Sequence, residues 1–255
     1  MVSEVKTAAR FDDRVANYVA YRPNYPAEVV EFLRAELGLA PGALVADVGA
    51  GTGILSELLL KAGCQVVAVE PNDAMRAAAE SRLKSYAEFR SVKGTAEATT
   101  LEDASADFVT AAQAFHWFDA EGARAEFRRI LKPGGWVVLV WNMRRTDSTA
   151  FLRDYEKLLR EFGTDYAQVN CEQVSEDRIA EFFAGAFGSK SFDNFQSFDF
   201  SGLRGRLLSS SYVPLEGHPN FEPMLEALRR LFDARQRQGR VRVAYDTKLY
   251  YGRLA

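Results

Sequence analysis

The residues best placed to do chemistry are Asp47, the run Gly49-Ala50-Gly51-Thr52-Gly53, and Glu70. The segment Val45 to Ser56 reads VADVGAGTGILS. Its first residues form a short apolar run and its last ones open a helical pattern. Three glycines at alternate positions leave the intervening turn almost without side chains. Such a turn lets the main chain approach a bound molecule closely and adopt angles closed to other residues. At a helix N-terminus it is a cradle for a nucleotide-like cofactor. Glu70 ends the next apolar run, QVVAVE. That is the separation at which a carboxylate at a second strand tip accepts hydrogen bonds from ribose hydroxyls.

The order of these glycines separates cofactor classes. A dinucleotide fingerprint reads G-x-G-x-x-G, whereas here the order is G-A-G-T-G after Asp47. This run resembles the first motif of class I methyltransferases that use S-adenosylmethionine (SAM). Four further segments are similar to that family. In VAVEPNDAM, residues 67–75, the resemblance gives the ribose to Glu70 and the adenine border to Pro71, Asn72 and Met75. In GTAEATTL, residues 94–101, it places Ala96 and Glu97 at the adenine edge. In AQAFHWFD, residues 112–119, Gln113 would meet the amino-acid group of the cofactor, with Phe115, His116 and Trp117 lining the acceptor pocket. LKPGGWVVLVWN, residues 131–142, is an architectural glycine turn and strand, with Asn142 at the tip. The resemblance also gives Asp47, Gly49, Ala50, Gly51 and Gly53 to the cofactor. It gives the acceptor end to His116, Arg22 and Tyr21 as catalytic residues.

The early run NYVAYRPNYP resembles the lid helix of small-molecule methyltransferases of the trans-aconitate and ubiquinone-biosynthesis type. Tyr18 and Tyr21 would cover the sulfonium region. Arg22 offers a planar fork for a carboxylate on cofactor or acceptor. A carboxylate acceptor needs no base; a hydroxyl or carbon acid would call on His116. Both remain open at this level, as does the chemistry of the acceptor. Three rival readings share parts of this pattern. One is an NAD(P)-dependent Rossmann oxidoreductase, which shares the acid after the second strand. Another is a non-catalytic SAM-binding protein. A protein or RNA methyltransferase is disfavoured because the chain lacks an N/D-P-P-Y/F tetrapeptide.

Positioning these residues requires alternating strands and helices. Strands are expected at 44–48, 65–70, 88–92, 108–112 and 136–141, with helices at 27–37, 54–62, 73–85 and 121–131. Alternation implies a doubly wound, Rossmann-like, mostly parallel α/β sheet whose strand tips converge on one pocket. Beyond residue 150 the pattern changes: helices are expected at 151–162, 203–208 and 224–232, and strands at 192–200 and 241–251. Seven strands result, the last two a hairpin around an inserted helical region. The expected layout is one domain over 1–255, with a helical lid at 1–40, a SAM-binding core at 41–145 and a substrate-side region at 146–255.

Bulk properties narrow the partners. The 255 residues carry a net charge of −3, with 47% hydrophobic and 26% charged residues. A general polyanion binder would carry a basic face. The arginine group at 229, 230, 235, 237, 240 and 242 is balanced elsewhere, and no nucleic-acid partner is expected. No run approaches membrane-spanning length, and the first residues have no secretory pattern. Cys64 and Cys171 are too few for a disulfide framework, and no metal-ligand spacing surrounds them. A cytoplasmic monomer or homodimer acting on a small molecule is the expectation. His218 reads as an ordinary loop residue.

Overall fold

The computed structural model describes residues 21–164, 166 and 175–254. Phe11, Tyr18 and Cys171, together with the first half of the expected lid, lie outside the described residues.

The chain runs α1 (Ala27–Leu37), β1 (Leu44–Val48), α2 (Ile54–Lys61), β2 (Gln65–Val69), α3 (Asp73–Leu83), β3 (Phe89–Val92) and β4 (Ala106–Ala112). It continues through α4 (Ala120–Ile130), β5 (Leu131–Arg144), α5 (Ala150–Phe162) and α6 (Glu176–Phe183). β6 (Phe187–Phe198), α7 (Phe200–Leu208), α8 (Phe221–Arg235) and β7 (Val241–Gly252) complete it. The seven strands lie in the order β3-β2-β1-β4-β5-β7-β6. β1 pairs parallel with β2 and β4; β2 with β3 and β4 with β5 are parallel too. β7 runs antiparallel between β5 and β6. The strand order reverses direction between β1 and β4, the place where ligands lodge in such sheets.

Period-two burial builds the sheet's two cores. Ala46 and Val48 face one side with Val67, Val69, Phe127 and Ile130. Val45 and Val66 face the other with Leu33, Leu55 and Leu59. A third core unites Phe151, Leu152 and Tyr155 of α5, Leu203 and Leu207 of α7, Met224 and Leu228 of α8, and Tyr245 of β7. α7 and α8 are inserted between β6 and β7 and cap the carboxyl-end side of the sheet with α5.

Several expectations need adjustment. β5 begins at Leu131, directly after α4, not at Trp136. Ala106 pairs with Leu131 and Phe108 with Trp136, so residues 132–135 bulge outward, with Gly134 at φ +80°. The Pro-Gly-Gly turn thus sits inside a strand. β6 starts at Phe187, and α6 was unanticipated because its apolar positions merge with a phenylalanine-rich run. α1 buries Val29, Val30, Leu33 and Leu37 as its periodicity predicts. It packs against the sheet beside α2, so it belongs to the helix layer and is no lid. α3 is capped by Asn72, whose side chain accepts from the Met75 amide at 2.8 Å.

Candidate active site

The glycine turn leaves β1 with three left-handed residues: Gly49 (φ +67°), Gly51 (φ +55°) and Gly53 (φ +76°). Their reasons differ. A Cβ on Gly49 would lie 2.6 Å from the Ala114 Cβ, and one on Gly53 would lie 2.7 Å from Leu83 Cδ1. A Cβ on Gly51 would meet nothing within 4 Å. Two of the glycines therefore permit close packing, while the middle one faces open space. Gly49 and Ala50 amides donate to the Val69 carbonyl at 2.8 and 3.3 Å, stitching the turn to β2.

Glu70, at the β2 tip, is 8% exposed. One carboxylate oxygen accepts from the Gly51 amide at 2.9 Å and the other from the Asn72 amide at 2.9 Å. Burial pushes its pKa above the ordinary value, and the two amides partly offset that. The carboxylate thereby joins the glycine turn to the segment Pro71–Asn72. Thr52 is buried within the same turn, and its hydroxyl has no hydrogen-bond partner among the described residues.

Asp47 requires a correction. It is fully buried, and its carboxylate accepts from the Ser56 hydroxyl at 2.6 Å and the Thr110 hydroxyl at 2.9 Å. Burial raises its pKa to about 6 against those two hydroxyls. The side chain ties β1 to α2 and β4 from inside the core, so it supports the cradle without facing a ligand. The Glu97 carboxylate accepts from the Asp119 amide at 2.9 Å, tying its loop to the start of α4. The packed neighbour Ala96 is 3% exposed. Their loop is pinned by Glu126, which accepts from the Thr99 amide and hydroxyl at 2.7 and 2.6 Å. Arg129, followed by these Thr99 bonds, draws the Glu126 pKa down to about 2.

The β4 tip supplies Gln113, held at φ +55° with its amide donating to the Val140 carbonyl. Its side chain donates to the Asn142 carbonyl at 3.1 Å and locks the β4 and β5 tips together. Non-glycine residues held in this region are strained and concentrate at functional sites. Asn142 in turn accepts from the Thr247 hydroxyl at 2.5 Å and the Asn194 amide at 3.1 Å. Its own amide donates to the Asn24 carbonyl at 3.3 Å.

Beside these tips lies a cavity of about 360 Å³. Gln113, His116 and Asn142 line it, as do Arg22, Arg144 and Arg206. His116 is largely buried, and burial first, then the Arg178 charge, lowers its pKa to about 4. The imidazole is neutral at physiological pH. Trp117 stacks obliquely on it, centroids 4.6 Å apart. Phe115, expected on the pocket wall, is instead fully buried against Phe182 and Trp141. Tyr21 does not line the cavity either; its ring lies over Gly205 of α7, where an added Cβ would come within 2.1 Å. The Tyr21 carbonyl accepts from Gln196. Arg22 does reach the cavity and donates to the Ser209 carbonyl at 3.0 Å.

The cavity's far wall escaped the sequence reading. Arg144 bonds Glu156 at 2.5 Å and the Tyr166 hydroxyl at 2.8 Å. Arg206 sits fully within the cap, donating to the hydroxyls of Tyr245, Ser209 and Ser210 at 3.1, 3.3 and 3.1 Å. No local signal marks Arg206: it stands in SGLRGRLL two residues from a second arginine, and only the packing of α7 on β7 buries it. Among the described residues there is no His, Cys, Asp and Glu cluster able to hold a metal ion. Nor is any helix there long and apolar enough to cross a membrane.

This strand order and glycine cradle define a protein of the class I, SAM-dependent methyltransferase fold. Residues 46–139 match the family model described as a methyltransferase domain. An uncharacterized methyltransferase of Mycobacterium tuberculosis is 41% identical over 138 residues, 52% of each chain. A methyltransferase-like protein of Schizosaccharomyces pombe is 33% identical over 156 residues, 61% of this chain and 59% of that one. The chain thus spans about half the length of the curated relatives it matches. A candidate type II methyltransferase of Anaeromyxobacter dehalogenans superposes with a TM-score of 0.67 at 25% identity, covering 92% of this chain and 99% of that structure. A geranyl diphosphate methyltransferase solved in complex with SAM shares the fold at a TM-score of 0.51 and 18% identity, covering 90% and 85%.

Proposed function

We propose that the chain transfers a methyl group from SAM to a small-molecule acceptor. The single observation that carries this is the Glu70 carboxylate bridging the Gly51 and Asn72 amides at the switch point of the sheet. The residues fit such a cofactor: the Gly51 face is open, and the Thr52 hydroxyl is buried without a partner among the described residues. Glu70 would hold the ribose, with Gly49, Ala50, Gly51 and Gly53 along the tail and sugar. Pro71, Asn72, Met75 and the buried Ala96 would border the adenine, and Gln113 the amino-acid end.

Bound SAM supplies an activated methyl group, transferred by in-line displacement. The chain contributes alignment and exclusion of water. The cap helices α5 and α7 line the cavity beside the strand tips, and the Gln113–Asn142 link joins the tips of β4 and β5. His116 is a neutral imidazole whose conjugate acid is strongly disfavoured, so it is a weak proton acceptor. The relative solved with SAM supports the cofactor assignment.

Calorimetry with S-adenosylhomocysteine (SAH) and with NAD tests the reading. SAH is expected to bind and NAD to give no heat. Binding of NAD alone would return the chain to the oxidoreductase class. A protein that binds SAH but never consumes SAM with any acceptor would be a binding protein instead.

A further inference from the structure

Cations outnumber acids along the described lining of the cavity. Its described lining carries four guanidinium groups, Arg22, Arg144, Arg160 and Arg206, against one carboxylate, Glu156. That carboxylate is already shared: it accepts from Arg144 at 2.5 Å, Tyr166 at 2.6 Å and Arg160 at 2.9 Å. Arg206 is 6% exposed, and among the described residues no carboxylate pairs with it; its three partners are neutral hydroxyls. A second guanidinium nitrogen, Arg144 Nη1, is buried with no acceptor among the described residues. Arginine stays charged wherever it is placed, and a buried charge without a counter-charge is costly. Proteins retain such an arrangement where a ligand completes it.

Tyr212 reports the same field. It lines the cavity, and burial alone would raise its phenol; the charges of Arg206 and Arg144, then a hydrogen bond with Ser210 and the Arg22 charge, outweigh burial and hold the pKa below the ordinary tyrosine value. The weak basicity of His116 agrees, because an acceptor that is already anionic needs no proton removed.

We propose that the acceptor is an organic anion whose carboxylate or phosphate oxygens are held by Arg206, with Arg144 and Tyr212 beside it. This rests on the methyltransferase reading for the word acceptor, but the anion site stands on its own geometry. Arg206 is oriented by β7 and by the end of α7, and among the described residues its bonds go to Tyr245, Ser209 and Ser210, away from the cradle around Glu70, so cofactor and anion occupy separate walls.

The test is calorimetry on the SAH-saturated chain at fixed ionic strength, with three probes of similar size: phenylacetate, phenyl phosphate and the neutral phenylacetamide. One or both anions are expected to bind, the amide at least about tenfold more weakly, as for charged hydrogen bonds; the stronger of the two identifies the anionic group. Arg206→Gln is expected to cost the anion about tenfold to a hundredfold while SAH affinity stays within about twofold. Arg206→Lys keeps the buried charge and serves if the first variant fails to fold; losing the planar fork, it should still weaken the anion. Equal binding of amide and anions, or no binding of either anion with SAH bound, overturns the anion site and leaves the cofactor reading intact. Loss of SAH binding in either variant would hand Arg206 to the cofactor's own carboxylate and also overturn it. Anion binding without SAH binding would uphold the site and remove the methyltransferase reading.

Discussion

The cofactor cradle and the cavity beside it solve opposite electrostatic problems. In the cradle one buried acid, Glu70, is satisfied by two backbone amides from neighbouring segments of chain. In the cavity several cations are gathered from distant segments: Arg22 ahead of α1, Arg144 on β5 and Arg206 on α7. The cradle works through backbone geometry, which a short motif encodes. The cavity works through side-chain charge, which depends on three segments meeting. A fold can therefore keep the first unchanged while the second varies with the acceptor.

The contrast can be broken most severely at Glu156, the one acid among the cavity's described lining residues. Glu156 and Arg144 are 9% and 10% exposed in their side chains. Removing one partner of a buried pair costs about 3–5 kcal/mol, so Glu156→Gln should lower unfolding free energy by about that much in urea. A loss under about 1 kcal/mol, the size typical of exposed pairs, would show that water already screens the pair.

Asp47 sets a pH signature under the cradle. Its native pKa, about 6, stands above the ordinary 3.8, so the folded state holds the proton more tightly. The stability linked to it is fully present below about pH 4 and lost as pH rises through about 6. That change is on the order of 3 kcal/mol. Asp47→Asn should erase it, so that denaturation curves of the two proteins converge or cross between those pH values. Parallel curves would refute the buried-acid assignment.

The glycines separate packing from ligand space. Gly49→Ala should cost about 2–3 kcal/mol of stability, from backbone strain and the Ala114 contact together. Gly51→Ala carries only the backbone penalty, about 1–2 kcal/mol. Yet it should weaken SAH more than its small stability loss implies. Equal stability losses, read by thermal melting, would mean that Gly51 is as crowded as Gly49. Glu70→Ala should weaken SAH by about 1.5–3 kcal/mol, the range for charged hydrogen bonds; unchanged calorimetric affinity would remove Glu70 from the site.

The smallest effect expected is an absence. With its pKa near 4, His116 does not change charge between pH 6 and 8, so the pH profile of methyl transfer should show no inflection there from this residue. An inflection near neutrality that vanishes in His116→Ala would restore it as a general base.

The β1–turn–α2 unit was legible because all its determinants lie within a dozen residues. Apolar alternation buries Val45, Ala46 and Val48, and glycine supplies the left-handed angles. Glu70 could be placed because one crossover separates it from the turn. Asp47 was harder to place: an acid near a motif can face the ligand or the core, and only the positions of Ser56 and Thr110 put this one in the core. Tyr21 and Phe115 were expected at the acceptor end, yet aromatic residues are equally suited to packing: Tyr21 lies against α7, and Phe115 against Phe182 of α6 and Trp141 of β5.

By itself the sequence determined the sheet, its glycine cradle and the acid that spans it, because period-two burial and left-handed turn residues act over short distances. Only the tertiary structure decided the charge of the acceptor cavity. Arg206 and Arg144 look like surface residues in their own segments; α7 folding onto β7, and α5 closing over β5, put them where water no longer compensates them.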